Sequence, residues 1–137
     1  FLSRIDVEEE LIIIDPYFFA PTQNPNYVSL VKEILLPFLG NLSKIRIVTI
    51  DRPSKIDLTL KGQIYNSLLA ENPALQISHH QTDHFHDRFW ISGNREKGVL
   101  TGTSLNGLGN RFALIDRLNK TDVRDIVSEL NNFGFLT

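Results

Sequence analysis

A histidine and an arginine two residues apart, His86 and Arg88, are the residues of this chain best suited to phosphoryl chemistry. They begin an apolar run that continues to Ile91, and in a β-strand residues i and i+2 project from the same face. An imidazole nitrogen can attack phosphorus, and a fixed cation stabilises the charge that builds on the non-bridging oxygens. The spacing predicts a phosphate site, with an exposed polar pair at the start of a strand as the alternative.

A hydroxyl-rich and glycine-rich segment follows the next apolar run, Gly98 to Thr101. Thr103 and Ser104 can offer side-chain and backbone donors to a phosphate, and Arg111 adds a cation. A tight turn that needs glycine is the alternative interpretation. Thr103, Ser104 and Arg111 are therefore candidate phosphate-binding residues.

Two aspartates, Asp15 and Asp51, each follow a β-branched run that is typical of a buried strand. In open α/β sheets, ligands favour the carboxyl ends of strands. We expect both aspartates at one sheet edge, where they can bind or orient His86 or Arg88. Ordinary turn or helix-start aspartates are the alternative.

A cluster of histidines and aspartates between the third strand and this site raises the question of a metal: His79, His80, His84 and His86, with Asp83 and Asp87. His84 and His86 could share a strand face, as two ligands would. No third ligand is fixed by the spacing. We predict no metal and no other cofactor.

The composition is that of an ordinary globular domain, with 137 residues, 42% hydrophobic and 22% charged residues. A net charge of -2 excludes wholesale coating of nucleic acid, although residues 86–120 hold six Lys or Arg against three Asp or Glu. The absence of cysteine excludes disulfides and thiolate catalysis, which makes a cytoplasmic location the default. No run has the length of a membrane span. Because the chain has no methionine, we expect residues 1–137 to be one domain of a longer protein.

Hydrophobic periodicity predicts an α/β fold whose mixed sheet is flanked by helices, with the element order βαβαβ-βββ-α. Three helix starts are predicted from their capping residues, namely Asn26, a Ser54–Asp57 capping box, and Thr121. The histidine-rich segment from His79 is expected to be a bend. The last helix should end at Gly134.

The segments His86-Asp87-Arg88-Phe89 and Gly102–Gly109 resemble the phospholipase D superfamily, whose signature is H-x-K followed by a G-S-x-N-like loop. They are similar to bacterial members that use arginine in place of the lysine. Ile14-Asp15-Pro16-Tyr17 also resembles the phosphoinositide-binding, phospholipase-D-like module of MIT-domain proteins. The resemblance covers most of the chain in element order, and residues 86–109 in motif.

This resemblance implies a phospholipase-D-like sheet and metal-independent chemistry, with four residues in catalytic roles. His86 falls on the nucleophile, Arg88 on the phosphate-binding lysine, Ser104 on the loop serine and Asn106 on the loop asparagine. Members with one motif per chain pair as homodimers, so that a second histidine protonates the leaving group. The chain departs from the pattern at Gly93, where the family has an aspartate.

Three functions stay open on these residues. The first is a histidine-nucleophile phosphodiesterase or nuclease that acts as a homodimer. The second is an inactive module that binds the phosphates of nucleic acid, the leading partner, or of phosphoinositide headgroups. The third is an assembly domain whose phosphate site is vestigial.

Overall fold

The computed structural model describes residues 9–92, 95–101 and 115–136. These residues form six strands, three α-helices and one 3-10 turn. The strands are β1 (Glu10–Ile14), β2 (Lys44–Thr49), β3 (Gln76–Gln81), β4 (Arg88–Ser92), β5 (Lys97–Thr101) and β6 (Ile115–Arg117); the helices are α1 (Tyr27–Leu39), α2 (Leu58–Glu71) and α3 (Lys120–Asn132), and the 3-10 turn is Pro53–Lys55.

The six strands form one mixed sheet in the order β3-β2-β1-β4-β5-β6. β1, β2 and β3 are parallel, because α1 and α2 cross over between them. β4 returns antiparallel on the other side of β1, and β5 and β6 continue as antiparallel neighbours. The α/β class and the mixed sheet predicted from the sequence are confirmed. The carboxyl ends of β1–β3 and the start of β4 therefore share one edge of the sheet.

Alternation along the strands separates two apolar layers. On one face, Leu11, Ile13 and Trp90 pack with α1 and α2. On the other face, Ile12 and Ile91 pack with α3. β1 is buried on both faces, as its unbroken apolar run predicts.

The helix α1 begins directly after Asn26, as predicted, whereas the capping predictions for α2 and α3 are wrong because another side chain less than one turn away caps each helix. Asn26 makes no side-chain cap on α1. At α2 the segment from Pro53 forms a 3-10 turn, and Asp57 caps the helix by accepting from the Leu60 backbone N–H at 3.1 Å. At α3 Asn119, rather than Thr121, accepts from the Asp122 backbone N–H at 2.8 Å.

The predicted bend at His79 is also wrong, because β3 extends through His80 to Gln81 by pairing with β2 as far as Thr49. Gly134 closes α3 as predicted, with a φ of 75°. The Gly134 and Phe135 N–H groups donate to the carbonyls of Asn131 and Leu130, which is a Schellman motif.

Candidate functional site

A row of polar residues crosses the shared edge of the sheet where the apolar core ends. Thr49 of β2 pairs with Gln81 of β3. Asp15 directly follows the last paired residue of β1. Extending the two strand pairings by one residue places Asp15 between Thr49 of β2 and Arg88 of β4. The chain passes from β1 outward to β2 and β3 before it returns on the other side of β1 as β4. Asp15 and Arg88 thus lie where the strand order reverses, the position that ligands favour in open α/β sheets.

Arg88, the first residue of β4, lies against an aromatic ring at this edge. Its guanidinium carbon is 5.9 Å from the centroid of the Tyr17 ring, within the range of a cation–π interaction. The Nε atom of Arg88 is buried and has no hydrogen-bond partner among the described residues. Tyr17 is held in place through its backbone N–H, which donates to the buried Asp15 carboxylate at 3.0 Å.

A second cation, Lys55, reaches the same ring from the 3-10 turn. Its Nζ atom is 5.8 Å from the centroid of the Tyr17 ring. The turn is tied to the segment after β1, because the Asp57 backbone N–H donates to the Phe19 carbonyl at 2.7 Å. Neither Lys55 nor Arg88 takes part in the ion pairs that the described residues form with one another. The Tyr17 ring centroid thus lies within 6 Å of two cations that form no ion pair with a described carboxylate.

His86 does not share a strand with Arg88, contrary to the prediction, because β4 begins only at Arg88. His86 is exposed and follows Phe85, which is buried against the α3 layer. No described residue hydrogen-bonds to its imidazole. The next residue, Asp87, lines a groove against α3 together with Phe89. His86 is therefore an exposed side chain two residues before Arg88, and no described residue orients it for attack.

A partly buried histidine that the sequence did not single out for this role, His79, lies on the sheet face that packs with α1 and α2. His79 Nδ1 is 3.0 Å from Lys61 Nζ, and its Nε2 is 2.7 Å from Thr49 Oγ1. An ammonium can only donate, so Nδ1 accepts and Nε2 carries the proton that Thr49 accepts. Burial, with the Lys61 and His80 charges, lowers the pKa of His79 to about 4. The alternation of side chains along β3 puts His79 on the same sheet face as buried Ile47. This alternation is the sequence signal that could have predicted the position of His79.

The remaining histidines lie in separate environments. His80 faces the α3 layer and stacks on Phe135 with ring centroids 4.6 Å apart. His84 Nε2 is 3.1 Å from a carboxylate oxygen of Glu129 on α3. Within residues 9–92, 95–101 and 115–136, no three His, Asp or Glu side chains are grouped so that they could hold a metal ion.

Asp51 lies at the predicted sheet edge, two residues after β2, and is exposed. It is not in the ion pairs that the described residues form with one another. Instead it lines a groove of about 260 Å³ with Pro53, Ile56, Leu58 and Gln81. The shared edge predicted for Asp15 and Asp51 is therefore observed, but the two carboxylates have different surroundings.

The other candidate residues, Thr103, Ser104, Asn106 and Arg111, lie outside the described residues, as do Gly93 and Asn94. No helix in the described part of the chain combines the length and the hydropathy needed to cross a membrane. A scan against protein-family models matches no family, and no curated protein matches the chain in sequence.

Proposed function

We propose that the chain is a phospholipase-D-like domain that recognises a phosphate or phosphodiester group at the sheet edge formed by Tyr17, Lys55 and Arg88. One observation carries this proposal. Two cations lie within 6 Å of the centroid of one aromatic ring, and neither forms an ion pair with a described residue.

The chemistry of the two cations suits an oxyanion. A guanidinium presents a planar fork that can donate two parallel hydrogen bonds to phosphate oxygens, whereas an ammonium acts as a point charge. An anion that contacts either cation gains a favourable electrostatic interaction, because neither cation forms an ion pair with a described carboxylate. The resemblance of His86-Asp87-Arg88-Phe89 to the phospholipase D superfamily supports the same ligand from the sequence.

Nucleic acid is the leading source of the phosphate. The net charge of -2 favours a local contact with one or two phosphates over a long electrostatic track. For two neutralised phosphate contacts on a single strand, log K should fall against log salt with a slope of about -1.4. Phosphoinositide headgroups are the alternative ligand.

The test is the binding of a labelled single-stranded oligonucleotide, measured by fluorescence anisotropy across a salt series. Arg88→Ala should weaken binding about tenfold, because it removes a charge-assisted contact, and should reduce the slope by about 0.7. Lys55→Ala should act in the same direction. Lys32→Ala is the matched control, since Lys32 pairs with Glu71 on the outer helices. Equal losses in Lys32→Ala and Arg88→Ala, or no binding by the unaltered protein, would refute the proposal.

Turnover is a second candidate function, favoured by the exposure of His86 two residues before Arg88. An imidazole nitrogen would bond to phosphorus and expel the alcohol oxygen, which takes a proton from the second histidine of a homodimer; water would then hydrolyse the phosphohistidine. Cleavage that persists in EDTA and disappears in His86→Ala supports this function. If His86→Ala binds the ligand as tightly as the unaltered protein and neither protein cleaves it, the function is that of a binding module. If neither His86→Ala nor Arg88→Ala changes any ligand interaction, the assembly domain is the remaining function.

A further inference from the structure

We infer that the groove beside Lys55 holds the base of a nucleotide whose phosphate lies against Lys55 and Arg88. This inference rests on the proposed phosphate site and names its ligand class, a nucleoside phosphate or the end of a nucleic acid strand.

The groove is a concave, largely apolar surface at the carboxyl ends of β2 and β3. Its volume is about 260 Å³, and its lining residues are Asp51, Pro53, Ile56, Leu58 and Gln81. Leu58 is 75% exposed, more than the other exposed large hydrophobic residues in the described part of the chain. Apolar surface left open beside polar groups is typical of a binding site.

The groove and one of the two cations, Lys55, belong to one short segment. Pro53–Lys55 is a single 3-10 turn, in which Pro53 lines the groove while the Lys55 ammonium lies over the Tyr17 ring. Ile56, the next residue, returns to the groove lining. A ligand with an anionic group joined to a flat apolar group could therefore contact both surfaces of this turn at once.

The lining favours a nucleobase over an inositol ring. Pro53, Ile56 and Leu58 offer apolar contact to the face of a heterocycle, which every base has. The Asp51 carboxylate accepts from an amino or imino group, and the Gln81 amide both donates and accepts. An inositol phosphate lacks a comparable flat apolar face, and its further phosphates would be repelled by Asp51. The charge of Asp51 therefore separates the two ligand classes.

The experiment compares a short single-stranded oligonucleotide with an abasic strand of equal length and charge. The unaltered protein should bind the abasic strand about fivefold more weakly, the low end for a base contact without an aromatic partner. Leu58→Asn, which adds no charge, should weaken binding of the normal strand by a similar factor and leave the abasic strand unchanged. Leu58→Ala should act in the same direction with a smaller effect. Leu36→Ala, at a leucine of α1 that is 46% exposed, is the matched control.

Each result distinguishes the groove from the phosphate site. Equal affinity for both strands, with a loss in Arg88→Ala, overturns the groove inference and leaves the proposed function standing. No binding of either strand overturns both. If the protein binds vesicles that contain phosphoinositide, does not bind nucleotides, and loses vesicle binding in Leu58→Asn, the groove holds a headgroup and the inference of a base is overturned.

Discussion

At the N-terminal end of β1, Glu10 is held between two arginines, whereas at the C-terminal end Arg88 and Lys55 face a tyrosine ring. Arg46 Nε donates to Glu10 at 2.7 Å and Arg95 Nε donates at 2.8 Å. Arg46 also donates to the Phe135 carbonyl at 2.8 Å. We call the group of Glu10, Arg46 and Arg95 the Glu10 triad.

The two ends differ in how their cations are satisfied. The Arg46 side chain is 8% exposed, and its charge is compensated inside the protein, which is what a buried cation requires. Arg88 keeps a buried Nε without a partner among the described residues, and Lys55 lies over the Tyr17 ring. The comparison indicates that the Glu10 triad stabilises the fold, whereas the cations on Tyr17 form no ion pair with a described residue.

Removing the carboxylate of the triad should have the largest effect. Glu10→Ala leaves Arg46 buried without its carboxylate, and we expect it to lower the free energy of unfolding by about 3 kcal/mol. Urea denaturation measures this loss. The control is Glu96→Ala, which removes an exposed carboxylate from the β4–β5 turn and should change stability by less than about 0.5 kcal/mol. A loss below about 1 kcal/mol for Glu10→Ala would contradict a structural role for the triad.

Replacing one arginine at each end by an apolar residue sharpens the contrast. Arg46→Met should lower the free energy of unfolding by about 2 kcal/mol, because it removes two hydrogen bonds from charged donors. Arg88→Met should leave stability within about 0.5 kcal/mol or raise it, because it removes a buried donor without a partner. Thermal and urea denaturation of both variants decide the point. Similar losses in the two variants would show that Arg88 is also structural.

His79 and the Glu10 triad should lose their contributions to stability in different pH ranges. Burial and neighbouring cations lower the pKa of His79 from 6.5 to about 4, so the unfolded chain takes up a proton that the folded chain does not. Stability should therefore fall as the pH drops from about 6.5 to 4, by about 1–2 kcal/mol after allowance for screening of a partly exposed group. Burial also lowers the pKa of His80, which adds in the same direction.

Burial acts to raise the pKa of Glu10, but the hydrogen bonds from Arg95 and Arg46 outweigh it and the pKa is lowered from 4.5. The contribution of the triad is therefore present above pH 4.5 and lost as the pH falls through the lower folded value. Urea denaturation at a series of pH values tests both ranges. His79→Gln should flatten the curve only above about pH 4, and Glu10→Gln only below 4.5. Overlapping effects would contradict separate ranges.

The smallest effect is expected at the turn that supplies the Phe135 carbonyl to Arg46. Gly134 has a φ of 75°, so Gly134→Ala should lower stability by about 1 kcal/mol. Gly40 has a φ of -65° and open space around its Cβ position, so Gly40→Ala should be neutral within about 0.5 kcal/mol. Equal thermal midpoints for the two variants would contradict a role for the left-handed backbone.

The apolar pattern predicted the class of the fold, because a run such as Leu11–Ile14 leaves few alternatives to a strand buried on both faces. It did not predict which side chain caps a helix, since Ser54 and Asp57 differ only in where the preceding turn ends. Nor did it predict the partners of Arg88 and His79. Tyr17 is 71 residues from Arg88, and Lys61 meets His79 only through the register of β2 with β3 and the packing of α2. Contacts of this kind depend on tertiary packing, which local spacing does not encode.

The bonds of Arg46 to Glu10 and to the Phe135 carbonyl bring two residues from opposite ends of the chain to one guanidinium group. The start of β1 and the segment after α3 therefore meet at one place in the described structure. β1 then carries the chain about 17 Å to the opposite edge of the sheet, where Tyr17, Lys55 and Arg88 lie. The residues that join the start of β1 to the segment after α3 are thus separated from these cations by the length of β1.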